Sequence, residues 1–231
     1  MELSKRLQAV ANLTGEGLIV ADVGTDHGYI PIYLVESKKS PKAFAMDINE
    51  GPLLRAKQHI QAYGLAEVIE TRLSDGVKAL KIGECECVVV AGMGGALAIK
   101  IMEEGENIFR SLKEFVLQPQ SEIEKVRRYL CEHQYCIVEE DMVLEDGKYY
   151  PIMKVISKPS DCQYSLAQYR YGKSLLAEKH AVLESFLKKE IVAKQRILRN
   201  LECEMGEHIK VRMAQLKEEI ACAEHALKTY F

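Results

Sequence analysis

The sequence predicts an α/β protein: a mostly parallel sheet with helices on both faces, a last strand running antiparallel, and a C-terminal antiparallel helical hairpin. Three observations carry this. Near-continuous apolar runs alternate with helix-length segments from Leu18 to about Ser157, the pattern of a parallel sheet buried on both sides. The string "EDGK", residues 145–148, lies between two extended runs and signals a tight hairpin. Beyond Pro159 the composition changes, with no proline from Tyr164 onward and glycine only at 172 and 206.

The elements follow in order. "LIVADVG" is the first strand and "GYIPIYLVESK" the helix after it. "KAFAMDI" is the second strand, and "NEGPLLRAKQHIQAYGL" a helix read with Leu54, Gln58, Gln61 and Leu65 on one face. "VIETRLSD" is the third strand and "CVVVAG" the fourth, with a helix from Gly94 to about Gly105. "EFVLQPQ" is the fifth, and the helix "SEIEKVRRYLCEHQ" opens on Ser121 with acids in its first turn. The extended runs around "EDGK" complete the sheet.

In the C-terminal part, Ile209, Met213, Leu216, Ile220, Ala223 and Leu227 form a heptad seam. Leu176, His180, Leu183, Leu187, Ile191, Lys194, Leu198, Leu201 and Met205 step similarly, with Gly206 between the two seams. Two long helices facing each other fit this better than one continuous helix that dimerises. The chain of 231 residues thus divides into a domain over 1–160 and a helical arm over 161–231.

Composition removes several classes of function. The N-terminus is charged and amphipathic, without the apolar core of a signal peptide. The longest apolar stretch, "CVVVAGMGGALAI", is broken by glycines and shorter than the roughly 20 residues of a membrane span. The expectation is a cytoplasmic protein with no membrane partner. The seven cysteines, at 85, 87, 131, 136, 162, 203 and 222, show no zinc-type spacing; free, mostly buried thiols and no metal are expected. A net charge of −3 exerts no global pull on nucleic acid. Residues 161–231 nevertheless carry 12 Lys+Arg against 10 Asp+Glu. Lys188, Lys189, Lys194, Arg196 and Arg199 cluster on the first long helix, as a solvated face or a contact for an RNA backbone.

The chemistry concentrates at strand ends. After the first strand comes Asp22-Val23-Gly24-Thr25-Asp26-His27-Gly28. A dinucleotide loop has glycine where Asp26 stands, and a carboxylate beside a pyrophosphate would repel it, which disfavours NAD. S-adenosylmethionine inverts this logic: its sulfonium and amino group are cationic and it carries no phosphate. Asp22 and Asp26 suit such a ligand, with Gly24, Thr25 and Gly28 shaping the loop. Asp47, with Ile48 in "AMDIN", is placed to accept from ribose hydroxyls. Ser74, Asp75 and Gly76 follow the third strand, where an adenine edge would be read. Ala91, Gly92, Met93 and Gly94 end the fourth strand at the centre of the sheet, where the crevice of a doubly wound fold lies.

The strings "DVGTDHGYIP", "AMDIN", "SDG" and "AGMGG", with the terminal helical pair, resemble the bacterial tRNA (adenine-22-N1)-methyltransferases, the TrmK family, over essentially the whole chain. The resemblance implies a Rossmann-like class I methyltransferase fold, S-adenosyl-L-methionine as donor, and methylation of N1 of an adenine in the D-arm region of tRNA. Amino-group methyltransferases carry Asn/Asp-Pro-Pro-aromatic at the end of the fourth strand; Ala91-Gly92-Met93-Gly94 departs from it and argues against an exocyclic amine as acceptor. N1 has an in-plane lone pair and needs no prior deprotonation, so alignment can supply most of the catalysis. Asp26 is the candidate for stabilising the developing charge or accepting a proton. His27 and Tyr29 are candidates for contacting the base, and Gln118 and Pro119 for a further wall. The alternatives are a class I enzyme acting on another RNA or on protein, and a non-catalytic RNA-binding scaffold. The expected partner is tRNA, with no DNA, and a monomer is the favoured state.

Overall fold

The computed structural model describes residues 1–159, 163–202 and 206–231. They divide into two compact units, Met1–Cys162 and Gln163–Phe231.

In the first unit the order is α1 (Lys5–Leu13), β1 (Val20–Val23), α2 (Tyr29–Glu36), β2 (Ala43–Asp47), α3 (Glu50–Ala62), β3 (Ile69–Leu73), β4 (Cys87–Met93), α4 (Gly95–Glu104), α5 (Glu106–Ser111), β5 (Glu114–Pro119), α6 (Ile123–Glu132), β6 (Cys136–Glu145) and β7 (Lys148–Ile156). The seven strands lie in the order β3-β2-β1-β4-β5-β7-β6. β7 pairs antiparallel with both β5 and β6, so it alone runs against the rest. Its hairpin turns at Asp146 and Gly147, with φ of 49° and 75°, the left-handed pair that an Asp-Gly turn supplies.

β1, β2 and β5 are buried along their whole length. Alternate side chains feed different faces: Ala21, Val23, Phe44 and Met46 join the core under α4, α5 and α6. Val20 packs with α1 and α2, while Ala43 and Ala45 pack with Ile32, Ala56 and Ile60. The buried face of α3 is therefore Ala56 and Ile60. Leu54, Gln58 and Gln61 are exposed, which corrects the face expected from spacing: alanine is the residue small enough for α3 to approach the sheet.

Ser121 also differs from expectation. α6 begins at Ile123 with Glu122 before it in left-handed backbone. The Ser121 hydroxyl instead accepts from the Gly95 amide at 3.3 Å, and a Glu122 carboxylate oxygen from the Ala96 amide at 3.2 Å. Both serve the open amides of α4.

In the second unit, α7 (Leu166–Tyr171) and α8 (Lys173–Ala177) precede two long helices, α9 (Ala181–Leu201) and α10 (Glu207–Tyr230). α9 and α10 pack on one another, so the continuous-helix alternative falls. The seam is shorter than its periodicity suggested. Leu176 belongs to α8, and Lys179 at φ 53° breaks the chain before α9. Leu183 and Leu187 of α9 and Ile209, Leu216, Ile220, Cys222, Ala223 and Ala226 of α10 are the buried residues of the two helices. Met205 of the expected seam lies outside the described residues.

Cys85, Cys87, Cys131, Cys136 and Cys222 are free thiols; Cys162 and Cys203 lie outside the described residues. Burial pushes the Cys85 thiol up to about 12, which makes it inert. Among the described residues no helix is long and apolar enough to cross a membrane.

A buried ion pair ties α6 to the reversed hairpin. Arg127 and Glu140 side chains are each 1% exposed and meet at 2.8 Å. Glu140→Leu takes this carboxylate away from the buried guanidinium and is expected to cost about 3–5 kcal/mol, whereas Arg127→Met with Glu140→Leu recovers most of that loss. Urea denaturation midpoints of the two variants check the ordering.

Candidate functional site

The crevice opens where the strand order reverses. From β1 the chain goes outward to β2 and β3, then crosses to β4 on the other side, so the carboxyl ends of β1 and β4 part around a gap. Asp22, the third residue of β1, lies between Ala45 of β2 and Val89 of β4. It is 3% exposed. Burial pushes its carboxyl from 3.8 up to about 7; the nearby Thr25 side chain works against this, and the Asp47 charge adds to it.

The loop after β1 is held from both sides. The amides of Gly24 and Thr25 donate to the Met46 carbonyl of β2 at 2.8 and 2.9 Å. Gly24 has φ 74°, and a side chain there would sit 2.2 Å from the Met93 methyl, so the loop lies flat on the end of β4. On its outer side, α3 contacts three successive loop residues. Arg55 donates to the Asp26 carboxylate at 2.8 Å, Ala56 approaches Gly28, and His59 Nδ1 donates to the His27 carbonyl at 2.9 Å. The His27, Tyr29 and His59 rings stack nearly parallel, with centroids 5.2 to 5.5 Å apart.

An open cleft of about 290 Å³ lies above Asp22. It is lined by Gly24, Thr25, Asp26, His27, Tyr29, Ala91 and Gly92 from the sequence-predicted set, joined by Arg6, Leu7, Ile30 and Gln120. The other predicted positions stand apart from this lining. Asp47 is buried and accepts from the Asn49 amide at 2.9 Å, while Ile48 is 60% exposed. The Ser74 hydroxyl donates to the Gly76 carbonyl and accepts from the Ala79 amide, so it builds the turn after β3. Gly76 packs against Ile101. Asp75 pairs with Lys78, which also meets Glu104 at 2.7 Å; the Lys78 ammonium holds the Asp75 carboxyl below its usual value.

At the end of β4 the strand bulges between Ala91 and Met93, with Gly92 at φ 79° and Gly94 preceding α4. Gln118, expected in the pocket wall, is 0% exposed and sits behind it, as Pro119 is also buried. The Gln118 side-chain carboxamide oxygen accepts from Arg6 at 3.0 Å and from the Gly92 amide at 3.1 Å. Arg6, Arg55, His59 and Gln120 are among the participants that sequence reading missed. Ser4 caps α1, and "LSKR" carried that helix-start signal, but nothing local tied Arg6 to Gln118, 112 positions away.

On α9 the five candidate cations differ in setting. Lys188, Lys189, Arg196 and Arg199 are exposed, with Lys188 paired to Glu184. Lys194 is only 20% exposed and bridges Glu190 and Glu219, each at 2.8 Å. It joins the two helices. Burial pushes the Glu219 carboxyl up, but hydrogen bonds from Lys194 and Arg212 outweigh it and hold the group below its ordinary value. Among the described residues no cluster of His, Cys, Asp or Glu is placed to hold a metal.

A buried acid at the switch point of a doubly wound sheet, with the last strand reversed, fits a class I S-adenosylmethionine-dependent methyltransferase, and a family model for the methyltransferase domain matches residues 3–153. The tRNA (adenine(22)-N(1))-methyltransferase of Bacillus subtilis is 37% identical over 193 residues, 82% of this chain and 80% of that protein. The chain belongs to that family. The crystal structure of the B. subtilis M1A22 tRNA methyltransferase TrmK superposes with a TM-score of 0.88 at 32% identity, covering 98% of this chain and 99% of that one. M. capricolum TrmK in complex with S-adenosyl-homocysteine gives 0.87 at 27% identity, with 100% of both chains covered.

The raised Asp22 carboxyl has consequences of definite sign. A cationic ligand favours the carboxylate, so binding below pH about 7 draws a proton off Asp22. Affinity for S-adenosylmethionine is expected to rise with pH, by up to about tenfold per unit, and to level off above pH about 7. In the free protein the folded carboxyl disfavours its charged form, so stability falls as pH rises from 3.8 through about 7. Asp22→Asn removes both dependences: it weakens cofactor binding and raises the melting temperature of the free protein above neutrality. Titration calorimetry and thermal melts across this range measure both.

Proposed function

We infer that this chain transfers the methyl group of S-adenosylmethionine to N1 of adenine 22 in tRNA. The observation that carries the reading is the buried, raised carboxyl of Asp22 under an open cleft, in a chain 37% identical to the B. subtilis enzyme of that activity. S-adenosylmethionine supplies an electrophilic methyl on a cationic sulfur. The residues present fit it: an acid floor, a loop with no side chain at Gly24 or Gly28, and a further buried acid, Asp47, at the end of the neighbouring strand.

Asp22 holds the cationic amino group of the donor and Asp47 the ribose hydroxyls, with Ile48, Ser74, Asp75 and Gly76 bordering the adenine. Ala91, Gly92, Met93 and Gly94 offer a bulged, nearly bare backbone against which a flat base can lie. That edge carries no side-chain carboxamide to clamp an exocyclic amine, which favours N1, whose lone pair attacks without prior loss of a proton. Asp26 is already engaged by Arg55. Its charge is shared, so its contribution is to fix the loop, with any stabilisation of the developing cation secondary. His27 and Tyr29 present flat faces to the incoming base.

N1 is on the Watson–Crick edge, so the nucleotide must leave its stack, at a cost of a few kcal/mol. Contacts along the rest of the tRNA offset that cost. Residues 161–231 serve as the arm that makes them, with Lys188, Lys189, Arg196 and Arg199 toward the phosphates and Lys194 bracing the helices. The same reading describes a monomer acting on tRNA in the cytoplasm, with neither DNA nor membrane as a partner.

Incubation with labelled S-adenosylmethionine and unmodified tRNA, then mapping of the modified base, is expected to give 1-methyladenosine at position 22. An N6-methyl product would overturn the assignment of the acceptor atom. Reversing charge with Lys188→Glu and Lys189→Glu is expected to weaken tRNA binding at low salt with cofactor affinity unchanged; equal tRNA affinity would remove the arm from the binding surface.

A further inference from the structure

We propose that Arg6 is a phosphate-binding residue of the cleft, gripping the phosphodiester of the nucleotide being modified. The inference rests on the functional reading above and extends it to an anion subsite. Arg6 lines the cleft, yet among the described residues it pairs with no carboxylate, although Asp22 and Asp26 line the same cavity. Its position is built. One guanidinium nitrogen donates to the wholly buried Gln118 side chain at 3.0 Å. The group also lies over the Tyr150 ring at 5.6 Å. Because Gln118 simultaneously accepts from the Gly92 amide, the cation is held in register with the bulge of β4: a side chain at Gly92 would lie 3.5 Å from it.

Charge decides what this cation meets. Methyl transfer to N1 leaves the adenine ring positive, so a guanidinium directed at the ring would oppose the reaction. The donor is itself cationic and belongs over the acids. A flipped nucleotide brings one anion into such a cleft, its phosphodiester, and a guanidinium fork matches phosphate oxygens in two-point contact. Gln118 and Tyr150 fix the fork before the RNA arrives, so little side-chain entropy is lost on binding. The cleft then has two electrostatic sides: acids for the donor and Arg6 for the acceptor backbone.

The test compares wild type with Arg6→Ala and Arg6→Lys, using full-length protein and unmodified tRNA. For Arg6→Ala, kcat/KM for tRNA is expected to fall about tenfold or more at low salt. The slope of log affinity against log salt should flatten by about one phosphate contact, roughly 0.7–0.9. Affinity for S-adenosylmethionine should stay at the wild-type value. Arg6→Lys should restore the salt slope but only part of kcat/KM, since it keeps the charge without the fork. A purely structural role would move the melting temperature and leave the slope alone. An unchanged slope in Arg6→Ala, or loss of cofactor binding in it, would overturn the proposal. Wild-type protein that fails to methylate tRNA would instead count against the functional reading.

Discussion

The Asp22 carboxyl sits in the middle of a fully buried strand, and burial is the main cause that lifts it to about 7. A buried acid without a compensating cation costs stability, so its retention marks a place where the fold yields to binding. The surrounding structure follows from that constraint. β1 must end just beyond Asp22 to open the floor, the next residues must turn sharply, and the neighbouring strands must part at the same level. The reversal of strand order between β2 and β4 satisfies the last requirement through topology alone.

The sharp turn is stabilised by what lies on either side of it. Gly24, Asp26 and Gly28 all adopt left-handed backbone, an arrangement that survives only where its surroundings over-determine it. The Met46 carbonyl fixes the inner side, while Arg55 and His59, four residues apart on α3, fix the outer side. Since the Asp26 carboxylate takes part in that fixation, one side chain both bounds the cleft and holds its own loop. The stacked rings of His27, Tyr29 and His59 extend this rigidity toward solvent.

How far the sequence could be read depended on the range of the interactions. Strand ends were legible because apolar runs stop abruptly at Asp22, Asp47 and Gly92, and the Asp146-Gly147 turn was legible because its backbone needs those residue types. The face of α3 was not: Leu54 dominates the hydrophobic pattern, but the approach of helix to sheet selects Ala56. Ser121 carried a true capping signal for the wrong helix, since the amides it meets belong to α4 and are distant in sequence. The break before α9 came from Lys179, whose left-handed conformation no composition rule marks. Of the cleft, the acids and glycines were visible as residue types at strand ends. Arg6, Gln118 and His59 act through pairings that exist only once the sheet is assembled.

The placement of β7 between β5 and β6 bears on how the chain is made as well as on how it binds. α1 packs against β6 and β7 as well as α2 and β5, so the earliest helix of this domain has partners that are among its last parts to be synthesised. Until residue 156 has emerged, α1 lacks the part of its docking surface that β6 and β7 supply, and contacts of such long sequence separation form slowly. The domain is thus built as a ring in time, its beginning waiting on its end. Arg6 reaches its place over the cleft only when that ring closes, so an incompletely synthesised chain would have the acid floor without the cation opposite it.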